Sequence, residues 1–174
     1  MKLIIYGSEY GTTQHYAEKL SEVTSIQVIN YTEVKDLSQY QTIIYMGGLY
    51  AGGVKGLKQT VKLLSSSTNL MIITVGLADV HDKDNTDHIK KSIQQQIPKD
   101  IYNRSKIFHL RGGIDYQKLN FKHKTMMSLL YQKAKRIPKE QQTADVKAMI
   151  ETYNQEVYFI NDDDLDPIIE AIGE

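Results

Sequence analysis

Five apolar blocks, Lys2–Tyr6, Ile26–Tyr31, Thr42–Met46, Leu70–Val75 and Lys106–Leu110, punctuate the first two thirds of the chain. Each is too short for a helix and rich in branched residues or tyrosine, which is the pattern of buried β-strands. Between most of them the apolar period changes. Tyr16, Ala17 and Leu20 share one face of a predicted helix over Gln14–Glu22, and Leu57, Val61 and Leu64 are spaced likewise over Gly56–Leu64. Ile89, Ile93 and Ile97 point inward from a third helix, Thr86–Gln96, which Pro98 stops. Strands alternating with helices need crossover connections and so form a parallel sheet. Five strands in this rhythm predict an α/β, doubly wound sheet of order 2-1-3-4-5, with its ligand crevice at the carboxyl ends of strands one and three.

Beyond the fifth strand the pattern changes. Leu110-Arg111-Gly112-Gly113-Ile114-Asp115-Tyr116 leads into a basic amphipathic segment, Leu119–Arg136, which carries Phe121, Met126, Met127, Leu129, Leu130 and Tyr131 and ends before Pro138. A helix over Thr143–Tyr153, an extended piece over Glu156–Ile160 and a last helix follow. Asp162, Asp163 and Asp164 are expected to cap that last helix, with Pro167 in its first turn. The same aspartates do not read as a calcium loop, because the glycine and terminal glutamate of an EF-hand are missing. The whole chain, 1–174, is expected to form one domain with extra helices after strand five.

Composition narrows the chemistry. No cysteine is present, which excludes disulfides, thiolate metal sites and thiol redox chemistry, so any redox role must belong to a cofactor. No window has the length and polarity of a membrane span or secretion signal, and the expected location is the cytoplasm. Net charge is zero, yet ten basic residues against one acid lie between Arg104 and Lys139. That split makes the molecule dipolar and predicts an anionic membrane surface or an acidic redox partner protein for segment 118–139; the alternative is a solvated lysine-rich helix face. Nucleic acid is not an expected partner, because the segment lacks an interleaved aromatic platform and the overall pI is near 7.0.

The most specific chemistry follows strand one. In Ser8-Glu9-Tyr10-Gly11-Thr12-Thr13 the hydroxyls of Ser8, Thr12 and Thr13 are donors, and Gly11 allows the backbone N–H groups to converge. The helix that opens after them adds its dipole. Neither a Gly-Lys-Ser/Thr ending nor a Gly-x-Gly-x-x-Gly run is present, so the turn suits a single phosphomonoester held by dipoles and hydroxyls. Glu9, a carboxylate beside an anion site, is expected to point outward to solvent. The competing reading is an ordinary strand-to-helix turn with Thr13 as its N-cap.

This turn resembles, position by position, the phosphate loop with which flavodoxins hold flavin mononucleotide (FMN), although Tyr10 stands where threonine is commoner. The resemblance extends to two more loops and implies that they clasp the isoalloxazine ring. One is Gly47-Gly48-Leu49-Tyr50-Ala51-Gly52-Gly53, read as a flexible loop, and the other is Gly76-Leu77-Ala78. Tyr50 is then the residue expected to stack on the flavin, and Gly52 or Gly53 the peptide expected to turn its carbonyl toward flavin N5. The extended layout after strand five resembles the flavodoxin-domain family that includes the menaquinone-dependent protoporphyrinogen oxidases. That likeness implies an FMN oxidoreductase with a quinone as acceptor, at the inner membrane face; the alternative is a flavodoxin-type electron carrier with no substrate of its own. Those oxidases carry an arginine beside the loop tyrosine, whereas Ala51 and Gly52 follow Tyr50 here.

Two other constellations compete with this reading. His81, Asp82, Asp84 and His88 have ligand types suited to zinc or iron, but the segment precedes a helix, where Asp84 or Thr86 would serve as N-cap; no metal is expected. A phosphoryl-accepting receiver domain shares the strand order but needs an aspartate at the end of strand three, where Gly47-Gly48 stands.

Overall fold

The computed structural model describes residues 1–50 and 52–173. Its centre is a parallel sheet built from β1 (Lys2–Gly7), β2 (Val28–Asn30), β3 (Thr42–Tyr50), β5 (Asn69–Gly76) and β6 (Lys106–Arg111), in the spatial order β2-β1-β3-β5-β6. This is the predicted 2-1-3-4-5 order of the flavodoxin-like fold. The register places Ile4 beside Ile44 and Ile44 beside Met71, so isoleucine and methionine side chains run across the sheet in rows.

Because side chains alternate along a strand, each strand feeds two cores. Leu3, Ile5, Ile43, Tyr45 and Ile72 face α2 (Leu57–Val61), α3 (Lys83–Gln96) and α4 (Lys99–Arg104). Ile4, Ile44, Met46, Met71 and Ile73 face α1 (Thr12–Thr24) and the terminal α7 (Asp166–Gly173). Tyr16 closes the second layer: its buried hydroxyl donates to the carbonyl of Arg111 at 2.9 Å and accepts from the N–H of Asn161 at 3.1 Å.

A third, smaller core lies against the carboxyl edge of the sheet. β7 (Gly113–Asp115) pairs antiparallel with β8 (Glu156–Tyr158), and α5 (Phe121–Ala134) and α6 (Ala144–Thr152) pack beside this ribbon. Ile114, Tyr116, Leu119 and Met127 are buried there, with Tyr10 and Leu77 from the sheet side against them. The segment after strand five therefore covers the end of the sheet at which the ligand crevice was expected.

Several expected boundaries move. β3 does not stop at Met46; it continues through Gly47 and Gly48 to Tyr50 and folds back onto β4 (Gly53–Val54), with Leu49 opposite Val54 and Tyr50 opposite Gly53. Gly47–Tyr50 and Gly53, expected in a flexible loop, are thus strand residues of a hairpin, and Ala51 lies outside the described residues. The α3 helix begins at Lys83, where Asp82, not Asp84 or Thr86, caps it by accepting from the N–H groups of Asp84 and Asn85. Near the carboxyl end, Asn161 caps a short 3-10 turn over Asp162–Leu165 that precedes α7, so the aspartates fill the first turn and do not cap it.

Candidate functional site

The turn after β1 is shaped by Gly11. It precedes α1 in the left-handed region, φ 90°, and space is open around the position of a missing Cβ. A side chain there would be strained by its backbone even with room to fit. Gly11, not Thr13, occupies the N-cap position, and no side chain caps the helix, so the first amide N–H groups of α1 are left as donors. Ser8 folds back within the turn, its Oγ accepting from the Gly11 N–H at 3.1 Å, while Thr12 and Thr13 line the adjoining cavity.

Glu9 does not point to solvent. Its largely buried carboxylate is paired with Lys55 Nζ and lies 2.6 Å from His123 Nε2. Lys55 arrives from the segment after β4 and His123 from α5, so two distant basic groups balance the acid that the turn carries. The turn has no cation of its own; the fold supplies them. Nothing in the local sequence signals this pairing, because the three residues lie on different elements.

Tyr50, Gly52 and Gly53 stand on the β3–β4 hairpin beside the crevice. The Tyr50 ring lies edge-on to Tyr10, centroids 6.5 Å apart, and under Lys55 Nζ at 5.1 Å. Gly52 has φ 81°, but Gly53 is paired as a strand residue, so only the first of the two uses glycine's freedom. The Gly52 carbonyl accepts from Ser92 Oγ at 2.7 Å, and Gln96 Oε1 accepts from the Val54 N–H at 3.0 Å; both side chains come from α3. Leu77, on the third loop, has its carbonyl held by Arg111 through Nε at 3.1 Å and Nη2 at 2.9 Å, and that guanidinium stacks on Phe159 at 3.8 Å.

These loops bound one cavity of about 700 Å³. Of the residues expected in the site, Glu9, Tyr10, Thr12, Thr13, Gly48, Leu49, Tyr50, Gly52, Gly53, Gly76, Leu77 and Ala78 line it. Ser8 and Gly11 shape the turn from behind, and Ala51 lies outside the described residues. The opposite wall was not foreseen. It consists of Met126, Met127 and Leu130 of α5, Ala148 and Met149 of α6, and the Gly112–Ile114 backbone, with His88 and Lys91 of α3 and Asp145 of α6 also on the lining. Burial pushes the Asp145 carboxyl above the usual carboxylate range, and His88 opposes that shift. The methionines were visible in the sequence as an apolar stripe, but a stripe does not say which ligand or element it faces.

Gly48 and Gly112 pack closely against the threonines of the turn. A Cβ on Gly48 would sit 3.1 Å from Thr13 Oγ1, and one on Gly112 would sit 2.8 Å from Thr12 Oγ1. Free helix-start amides and threonine hydroxyls form a donor set suited to one phosphate group, beside a Glu9 carboxylate that is already paired with Lys55 and His123.

The acidic stretch after β5 is occupied with turn formation. Asp79 accepts from the His81 N–H at 2.9 Å, Asp82 caps α3, and Asp87 pairs with Lys83. Among the described residues no group of three or more His, Asp or Glu side chains is placed to hold a metal ion. Nor is any helix among them long and apolar enough to cross a membrane.

The family model of the flavodoxin domain matches residues 3–141, and the chain belongs to that family. Solved structures with similar folds include a flavoprotein in complex with FMN from Lactobacillus acidophilus, 11% identical, which covers 63% of this chain and 91% of that one with a TM-score of 0.45. A Fusobacterium nucleatum flavodoxin variant bound to FMN is 12% identical over 69% of this chain and 72% of its own, with a TM-score of 0.43. A variant of a Pseudomonas aeruginosa flavodoxin is 13% identical over 64% and 84%, with a TM-score of 0.42. No curated protein matches the chain in sequence.

Proposed function

We propose that this flavodoxin-domain protein binds FMN noncovalently in the crevice and acts as an oxidoreductase in the style of the protoporphyrinogen oxidases, with a quinone as electron acceptor. The observation that carries the reading is the single cavity shared by the phosphate turn, the Tyr50 hairpin and the Gly76–Ala78 loop. In this reading Ser8 and Gly11 shape the turn, while Thr12, Thr13 and the first amides of α1 hold the phosphate. Tyr50, Leu49 and Leu77 bracket the ring, and the backbone at Gly48, Gly52 and Gly53 contacts its edge. Bound FMN would supply the electron-accepting and electron-donating chemistry, and the protein supplies position and surroundings. Lys55 and His123 keep the Glu9 carboxylate from opposing the phosphate.

An electron carrier with no substrate of its own needs its flavin edge open to a partner protein. Here α5 and α6 stand across the crevice and leave a cavity for a small molecule, which favours the enzyme reading. Segment 118–139 is the face we propose turns toward an anionic membrane. The decisive experiment is an absorbance spectrum of the purified chain, with calorimetric titration of FMN, FAD and NAD. A flavin spectrum and selective FMN uptake are expected; FAD bound as tightly as FMN, or no flavin uptake, defeats the reading.

A further inference from the structure

Arg111, the last residue of β6, is a cation that forms no ion pair with a carboxylate among the described residues. Its guanidinium is nevertheless held. Nε and Nη2 both donate to the Leu77 carbonyl, and the guanidinium plane stacks on Phe159. A guanidinium is a permanent cation, and two donors given to a neutral carbonyl leave its charge uncompensated. Lys55, by contrast, is paired with Glu9.

The backbone around Arg111 is fixed as well. Its carbonyl accepts from the Tyr16 hydroxyl at 2.9 Å, and the N–H of the next residue, Gly112, donates to the Gly76 carbonyl at 2.7 Å. Gly76, Leu77 and Gly112 line the cavity, and Arg111 is joined to them by the chain and by these hydrogen bonds. The charge thus stands directly behind the wall formed by the Gly76–Ala78 loop. A charge already fixed in place acts on its neighbours without reorganisation.

We propose that Arg111 is a positioning residue for the flavin: it holds the Gly76–Ala78 loop against the ring and, as a fixed positive charge behind that loop, favours the reduced cofactor over the oxidised one. Two electrons and one proton turn the neutral isoalloxazine ring of FMN into a ring with one negative charge. A cation behind the wall stabilises that charged form more than the neutral one. An arginine that only propped the loop would affect both forms alike. The proposal rests on the FMN reading above; the arginine, its carbonyl partner and its stacking ring belong to the protein.

The test is the two-electron potential of FMN bound to the full chain, from reductive titration against a reference dye, with calorimetric affinities for oxidised FMN alongside. Arg111→Gln removes the charge and keeps a side-chain donor for the Leu77 carbonyl, whereas Arg111→Lys keeps the charge and loses the planar fork. In Arg111→Gln the preference for reduced over oxidised FMN should fall about tenfold, a potential lower by about 30 mV for a two-electron couple. In Arg111→Lys that preference should stay within about twofold of the unaltered chain, while oxidised FMN binds more weakly. Equal weakening of both forms in Arg111→Gln overturns the electrostatic role, as does a potential as low in the lysine variant as in the glutamine one. If Arg111→Gln does not fold, the unaltered chain decides: it should bind reduced FMN more tightly than oxidised FMN, and the reverse order overturns the proposal. No FMN uptake by the unaltered chain defeats the flavin reading and this proposal with it, whereas uptake with one potential in all three chains defeats this proposal alone.

Discussion

The carboxylate of Glu9, in the turn between β1 and α1, lies 2.6 Å from His123 Nε2 on α5. This contact joins the phosphate turn to the wall that crosses the cavity, and Lys55 pairs with the same carboxylate from the hairpin side. One acid thereby ties together three elements that are separate in sequence. It also places a negative charge beside the proposed phosphate position, where charge balance favours the pair over the acid alone.

Replacing Glu9 by glutamine should move stability and cofactor affinity in opposite directions. Loss of a largely buried, doubly paired carboxylate should lower folding stability by about 1–3 kcal/mol. Freed of its partner, Lys55 should tighten FMN by about 1 kcal/mol, roughly fivefold, an effect that shrinks with salt. Denaturation of the flavin-free protein and FMN titration measure the two quantities. A loss of FMN affinity in this variant would mean that Glu9 is needed to shape the turn.

The phosphate assignment separates FMN from riboflavin. Thr13 is buried, lines the cavity and has its Oγ1 beside Gly48, so Thr13→Ala should weaken FMN by about 1.5–3 kcal/mol while leaving riboflavin nearly unchanged. Equal losses for the two flavins would remove Thr13 from phosphate binding and leave it a packing role.

His109 makes stability pH-dependent. Its Nδ1 is 2.7 Å from Thr74 Oγ1, its Nε2 is buried without a partner, and burial, with nearby Lys90, lowers it to about 4. The unfolded chain takes up this proton near pH 6.5 and the folded chain only near the lowered value. The stabilisation is therefore complete above about pH 6.5, falls as pH drops through the interval, and is lost once pH passes below about 4. Allowing for its partial exposure, the change should be about 2 kcal/mol. Asp145, raised by burial, contributes with the opposite sign, so the comparison must be between the unaltered chain and His109→Gln. Urea denaturation across this range should show a flatter pH profile in the variant; identical profiles would mean the imidazole is not titrating between the two states.

How much of this was legible beforehand follows from the range of each signal. The sheet order was readable because crossover topology repeats a local rhythm, and Thr12, Thr13, Tyr50 and Leu77 were readable because a crevice at strand ends is filled by the residues that follow the strands. The hairpin at Gly53–Val54 was not, since glycine-rich sequence does not distinguish a pleated turn-back from an open loop. The β7–β8 ribbon joins three residues to three others some forty positions away, too short and too distant for a periodic signal. Glu9 was misplaced because its partners are set by tertiary structure: an exposed carboxylate is the ordinary outcome until a lysine and a histidine from other elements arrive.

Membrane docking can be sharpened by what α5 leaves outside. Met127 is buried and Met126 and Leu130 line the cavity, so the apolar stripe is divided between core and crevice. Phe121, 86% exposed, and Leu129, 68% exposed, are two turns apart on the outer side, among Lys122, Lys124, Lys133 and Lys135. Two apolar side chains with flanking lysines suit insertion at the surface of an anionic bilayer, where each lysine contributes about 1 kcal/mol. Co-sedimentation with vesicles containing phosphatidylserine should show binding at low salt that fails with neutral vesicles and weakens as salt rises. Changing the four lysines to glutamine should abolish it, while Phe121→Ser with Leu129→Ser should weaken it without altering FMN uptake. No sedimentation with anionic vesicles at low salt would leave these lysines as a solvated helix face and confine the function of α5 to its inner side.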